Sequence, residues 1–194
     1  GVVGNGDATN RLEISLNAEG QQELVQLNSE ASHQGFPSFV AGYGSNRGYY
    51  GASERHKIAT WGLFNYGTAL ANPELVVRRL YDHFKDENGF NQALKPIYEL
   101  LGQPNIRILK PSQGQVWVQK SDDEKIAFDG WADGYRLTLA WLLYLMDRAL
   151  AKKALGPDGP EGLLLLDEVE QHLHPKLQIG FLSSLQKAFP RLQI

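Results

Sequence analysis

Four leucines, Leu163 to Leu166, run directly into two adjacent acids, Asp167 and Glu168. An apolar run of this length between turn residues predicts a strand covered on both faces of a parallel sheet. In open α/β sheets, ligands sit beyond the C-terminal ends of such strands. An acid there, Asp167, can hold a hydrated Mg²⁺, a hard cation that prefers carboxylate and phosphate oxygens. Its neighbour, Glu168, can orient or deprotonate an attacking water. Phosphoryl transfer needs positioning and charge neutralisation more than covalent chemistry, and this pair supplies parts of both. The competing reading is a buried strand that ends in two solvated acids.

A second candidate is Trp131-Ala132-Asp133-Gly134-Tyr135-Arg136, which opens the strongest helical signal in the chain. A helix N-terminus with free N–H groups and a glycine close by makes an anion site. The plainer alternative is that Asp133 simply caps the helix. Glu170, His172 and His174 could ligate a metal, but roles in a loop and a helix cap compete, and no third histidine stands near. Arg47, beside Tyr43, Tyr49, Tyr50 and Arg55, could touch a phosphate or a partner, or stack with those rings on bases. Packing within the loop is the simpler role. The chain contains neither G-x-x-x-x-G-K-[ST] nor G-x-S-x-G, and the glycine-rich start, Gly1 to Gly6, has no lysine.

These groups must be held by regular elements. Arg11–Asn17 alternates in a strand-like way, and Pro37–Gly44 predicts a second strand. Ser45–Ser53 reads as a loop. Asn72-Pro73-Glu74 opens a helix, with Asn72 as cap and Pro73 at the first helical position. Leu75, Val76, Leu80 and Phe84 form its apolar face. A further helix is expected over Phe90–Leu101, ending at Gly102. Ile106–Lys110, Gln115–Lys120 and Lys125–Phe128 predict a small antiparallel meander. Asp133–Lys153 predicts a helix buried on all sides, with Arg148, Lys152 and Lys153 suiting its C-terminal dipole. Leu155–Pro160 is a break. A last amphipathic helix is expected from Pro175, with Leu177, Phe181, Leu182, Leu185 and Phe189 inside and Pro190 as its stop. Leu192-Gln193-Ile194 begins another strand. The fold class is therefore α/β: a parallel sheet flanked by helices, with a small antiparallel meander.

The 194 residues carry 19 Lys+Arg against 22 Asp+Glu, a net charge of −3. That balance lacks the bulk basic excess of a whole-domain nucleic-acid binder. With no cysteine, a disulfide framework, a thiolate metal cage and a cysteine nucleophile are excluded. The count fits a reducing compartment, and a cytoplasmic location is expected. The longest apolar stretch, Leu137–Met146, is too short for a spanning helix, which needs roughly 20 residues.

Leu163 to Pro175, LLLLDEVEQHLHP, resembles the Walker B strand and following D-loop of ABC-type ATPases. The resemblance is to the branch of SMC-like, RecF-like and OLD-like proteins, which includes AAA-type ATPases of bacterial defence systems. It implies that Asp167 is the Mg²⁺-side acid and Glu168 the catalytic one, and that His174-Pro175 is the turn near a dimer contact. Residues 131–136 resemble the signature motif of this branch, Leu-Ser-Asp-Gly-Tyr-Arg. The resemblance implies that Ala132, Asp133, Gly134 and Arg136 face the nucleotide bound by a second subunit. Trp131 and Ala132 stand where the motif has Leu and Ser, which removes one hydroxyl donor. A looser resemblance covers 39–101, including Arg47.

The family thus implies ATP and Mg²⁺ as cofactors, a homodimer through the ATPase heads, and a nuclease or other effector partner, with nucleic acid left open and no membrane. The 194 residues are expected to be one partial ATPase domain, with 37–129 the helical and meander part and 130–194 the signature and Walker B part. Whether the residues before Pro37 join it is left open. The missing P-loop lysine and the switch histidine would lie outside the chain, so the parent hydrolyses ATP and this piece alone is expected to be inactive. Two rivals stand beside this reading: a non-hydrolysing, nucleotide-dependent interaction module, and a metal-dependent nuclease using Asp167, Glu168 and the histidines.

Overall fold

A computed structural model of the chain describes residues 12–16, 22–26, 37, 39–45, 50–52, 63, 70–122, 124–171 and 173–194. The chain divides into two compact units, Gly1–Phe36 and Pro37–Ile194. In the first unit β1 (Leu12–Leu16) pairs antiparallel with β2 (Gln22–Gln26), Leu12 opposite Gln26 and Leu16 opposite Gln22. The expected strand over Arg11–Asn17 is β1. Its partner strand had no comparable alternation to betray it.

The second unit is α/β. Its parallel sheet has the order β12-β11-β3, with β3 at Val40–Tyr43, β11 at Gly162–Leu166 and β12 at Leu192–Gln193. The leucine run is therefore the central strand. It pairs with β3 in the register Leu163 to Val40 through Leu166 to Tyr43, and with β12 through Gly162 to Leu192. Gly162, at φ +147, is where β11 crowds β3: a Cβ there would run into the Phe39 carbonyl oxygen.

The expectation of two equally covered faces needs correction. Ala41, Tyr43, Leu164 and Leu192 are buried and Leu166 packs on the core, while Val40, Leu163 and Leu165 on the opposite face are only half-buried. Alternation along paired strands puts the two sets on opposite sides.

The core face is covered by α3 (Asp133–Ala151), in which residues 138–149 are all buried. Tyr43 lies against Trp141 and Tyr144, at centroid separations of 5.8 and 6.3 Å. A helix apolar on all sides belongs at the centre of the fold. Arg148 stands in the last turn of the helix, as expected, and is buried beside Asp147. Asp147, fully buried, accepts two hydrogen bonds from Arg79 at 2.9 and 2.7 Å. That fork joins α3 to α1 (Pro73–Phe84). A buried carboxylate is tolerated when paired in this bidentate way.

The start of α1 is as the sequence predicts: the Asn72 side chain accepts from the Glu74 amide at 2.9 Å, and Pro73 is the first helical residue. Its buried stripe is Val76, Val77, Leu80 and Tyr81, with Leu75 and Phe84 at the margins. Next, α2 (Glu87–Leu100) begins earlier than predicted because Asp86 caps it, accepting from the Gly89 amide at 2.7 Å. Within α2, Asn91 holds β6 (Arg107–Ile108): its oxygen accepts from the Ile108 amide at 2.9 Å and its amide donates to the Ile108 carbonyl at 3.1 Å. The meander is β6, β7 (Trp117–Gln119) and β8 (Lys125–Ala127), antiparallel in that order.

Two stretches read as loops hold short strands. Within Ser45–Ser53, β4 (Tyr50–Ala52) pairs parallel with β5 (Leu70–Ala71). The Leu155–Pro160 break is a hairpin of β9 (Leu155–Gly156) and β10 (Gly159–Pro160). The last predicted helix is two: α4 (Pro175–Gln178) and α5 (Phe181–Ala188), bent at Ile179-Gly180. Gly180 takes φ +75, which a helix cannot continue through. Leu182, expected inside, is 44% exposed.

Candidate functional site

The hydrogen-bond ladder of β11 runs past its last strand residue. The Asp167 amide donates to the Tyr43 carbonyl at 3.0 Å, so the first acid is fixed at the C-terminal edge of the sheet beside the end of β3. Glu168 then leaves the strand with φ +46, the left-handed region that side chains disfavour. Its carbonyl accepts from the Gln171 amide at 2.9 Å, and the Glu170 carbonyl accepts from Leu173 at 3.2 Å, so the chain turns tightly after the acids. Both carboxylates are exposed. The residues thus stand where the sequence expects them, at the end of a central parallel strand.

At the start of α3 the capping position is Ala132, not Asp133, and no side chain caps the helix. The Ala132 carbonyl accepts from the Tyr135 and Arg136 amides, each at 3.0 Å. Asp133 is instead in the first turn, where it accepts from Arg136 at 2.8 Å; Asp129 lies 3.6 Å from the same guanidinium. The first amides of α3 therefore lack a side-chain cap, on the positive end of a long helix dipole.

The turn that follows the acids packs directly on this helix start. A Cβ at Gly134 would stand 2.7 Å from the His174 nitrogen and 2.9 Å from its Cα. Only glycine permits that approach. Above it the Tyr135 ring stacks on the His174 imidazole at 4.7 Å, and on its other side Trp131 stacks on Tyr135 at 5.6 Å. His174 also caps α4: its Nδ1 accepts from the Lys176 amide at 3.3 Å, with Pro175 at the first helical position. Trp131, unlike the leucine of the motif it resembles, thus forms the buried base of a three-ring column. The sequence carried the signal for part of this column, aromatic residues at i and i+4, but not its third member, which comes from a distant segment.

Gly134 and His174 are brought together, as are Asp133 and Arg136. Arg47 and His172 lie outside the described residues. Among the described residues no group of three or more His, Asp or Glu side chains converges as a metal cage would, and no helix is long and apolar enough to cross a membrane.

No family model matches the chain. It is 28% identical over 196 residues to the Septu protein PtuA of Bacillus mycoides (strain KBAB4), an alignment that covers 93% of this chain and 26% of that protein. The chain therefore spans about a quarter of the length of the curated relative it matches.

Proposed function

We propose that this chain is the signature-helix and Walker B part of an ABC-type ATPase head, belonging to a longer protein that dimerises around ATP and Mg²⁺ and drives a defence or DNA-processing complex with a nuclease or other effector. The observation that carries the reading is the position of Asp167 and Glu168: they leave the central strand of a parallel sheet at its C-terminal edge, where ligands of such sheets bind. The resemblance of two motifs in the family's order, and the likeness to the Septu protein PtuA, support the defence setting.

The donor set suits Mg²⁺ of the kind that keeps its waters. Such an ion takes one or two carboxylates plus phosphate oxygens rather than an all-protein cage, and an exposed acid pair offers that. When bound, the ion would neutralise charge developing on the phosphate oxygens. Asp167 would accept hydrogen bonds from the waters of the ion. Glu168 would orient the attacking water and take its proton. The uncapped amides at Ala132–Gly134 would meet the phosphates of the nucleotide held by a partner subunit.

Glu168→Gln in the full-length protein keeps the shape and removes the base. ATP turnover is expected to fall by roughly 10²–10⁴, with nucleotide binding retained. Unchanged turnover would overturn the reading. One observation favours a second reading, a module that binds nucleotide without hydrolysing it: Ala132 offers no hydroxyl at the helix start. Nucleotide-dependent dimerisation of the wild-type protein without turnover would select it.

A further inference from the structure

We infer that Arg136 is a positioning residue of the α3 start: it holds the Asp133 carboxylate and cancels its charge, and does not itself touch the nucleotide. The inference rests on the reading of that helix start as a phosphate-facing one, and it revises the role that the resemblance implies for Arg136. One terminal nitrogen of the guanidinium, Nη2, donates to Asp133 at 2.8 Å. The other, Nη1, lies 3.6 Å from Asp129. The Arg136 side chain is 22% exposed, whereas each of the two acids is 79% exposed. The cation is thus the inner member of the cluster and the acids are the outer ones. To reach a phosphate, the guanidinium would have to leave both carboxylates.

Acids at this place set a problem for an anion site. The positive end of a helix dipole favours a carboxylate in the first turn, and a phosphate seeks the same field and the same free amides. An unopposed Asp133 would compete with the phosphate twice: as a local acceptor for nearby amides, and by like-charge repulsion. Arg136 answers both. Three residues on, it shares a face with Asp133 and engages its carboxylate, while Ala132 stands at the cap position without a side-chain bond. Two acids and one cation leave the helix start at a net −1; the two acids alone would leave −2. Exposed ion pairs add little to stability, so this cluster acts on the field at the helix start more than on folding. Direct contact is the other role open to an arginine here. The two roles separate by their dependence on Asp133.

The test is the ATP concentration for half-maximal effect in the full-length protein, read as KM for turnover and, by sedimentation, as nucleotide-dependent dimerisation. Arg136→Gln should raise it by roughly tenfold, with kcat less affected, as loss of uniform binding requires. Asp133→Asn alone should lower it, because a repelling charge is gone. The double variant, Arg136→Gln with Asp133→Asn, returns the cluster to −1 and should bring the value back towards that of the wild type. Added salt should narrow the gap between Arg136→Gln and wild type, which a merely structural defect would not do. Circular dichroism checks that each variant is folded. A double variant no better than Arg136→Gln would mean that the arginine meets the nucleotide itself, and would overturn the inference. So would an Arg136→Gln protein with an unchanged ATP requirement, or a gap indifferent to salt. Each of these leaves the ATPase reading standing. A wild-type protein that neither dimerises with ATP nor hydrolyses it would overturn both.

Discussion

The imidazole of His174 stacks on the phenol of Tyr135, with ring centroids 4.7 Å apart and planes 24° from parallel. The two residues belong to segments far apart in sequence: one opens the central helix, the other closes the turn that follows the acid pair. Their stack rests on a backbone approach that Gly134 alone permits. A helix start proposed to sense nucleotide in one subunit is thereby tied to the turn after the proposed catalytic acid of the same subunit. Displacing either would displace the other.

Gly134→Ala tests that tie. Alanine is the better helix former by about 1 kcal/mol, so on propensity alone the variant would gain stability. The new methyl would instead meet backbone atoms of His174 at 2.7 and 2.9 Å. Backbone cannot swing aside as a side-chain tip can, and a net loss of about 1–3 kcal/mol is expected. Gly130→Ala is the control, since its methyl would meet only the Ile126 side chain, at an ordinary 3.7 Å. Urea unfolding of the two variants decides the matter: equal midpoints would mean that the contact constrains nothing.

What the sequence revealed and what it hid divides along locality. The Asn72 cap, the meander and the buried helix are written in neighbouring residues, and each stands where the pattern puts it. The leucine quartet and the two acids likewise announce a strand and its edge. By contrast β4 and β5 are only a few residues long and owe their existence to pairing with each other across the chain, which no window of sequence contains. The bend at Gly180 broke a helix whose apolar spacing looked continuous, because the pattern constrains side chains while the break is a backbone event. The third ring over Gly134 was invisible for the same reason as β4: its partner is distant.

The backbone of Glu168 yields a prediction that does not depend on catalysis. At φ +46 a residue with a Cβ is strained by roughly 1–2 kcal/mol relative to glycine. Glycine ordinarily costs stability relative to alanine, by about 0.5–1 kcal/mol. At this position the order should invert, with Glu168→Gly unfolding at higher urea than Glu168→Ala by about 1 kcal/mol. If the alanine variant is the more stable of the two, the left-handed conformation at the strand's end is wrong.

Two buried tyrosines should answer differently to loss of their hydroxyls. The Tyr98 hydroxyl donates to Asn91 at 2.7 Å, whereas that of Tyr43, sealed in the core, has no hydrogen-bond partner among the described residues. Tyr98→Phe should therefore cost about 1 kcal/mol near neutral pH, and Tyr43→Phe should be neutral or stabilising. Burial, first among the causes, raises both phenols well above the ordinary tyrosine value. The folded chain thus keeps protons that the unfolded chain surrenders above about pH 10. Unfolding there releases protons, so stability is fully present below that pH and falls as pH rises through it. Either substitution removes one such group and should make the alkaline decline shallower. Unfolding free energies measured by urea near pH 7 and again above pH 10 would check both halves. A loss at neutral pH for Tyr43→Phe as large as for Tyr98→Phe would show that the Tyr43 hydroxyl has a partner after all.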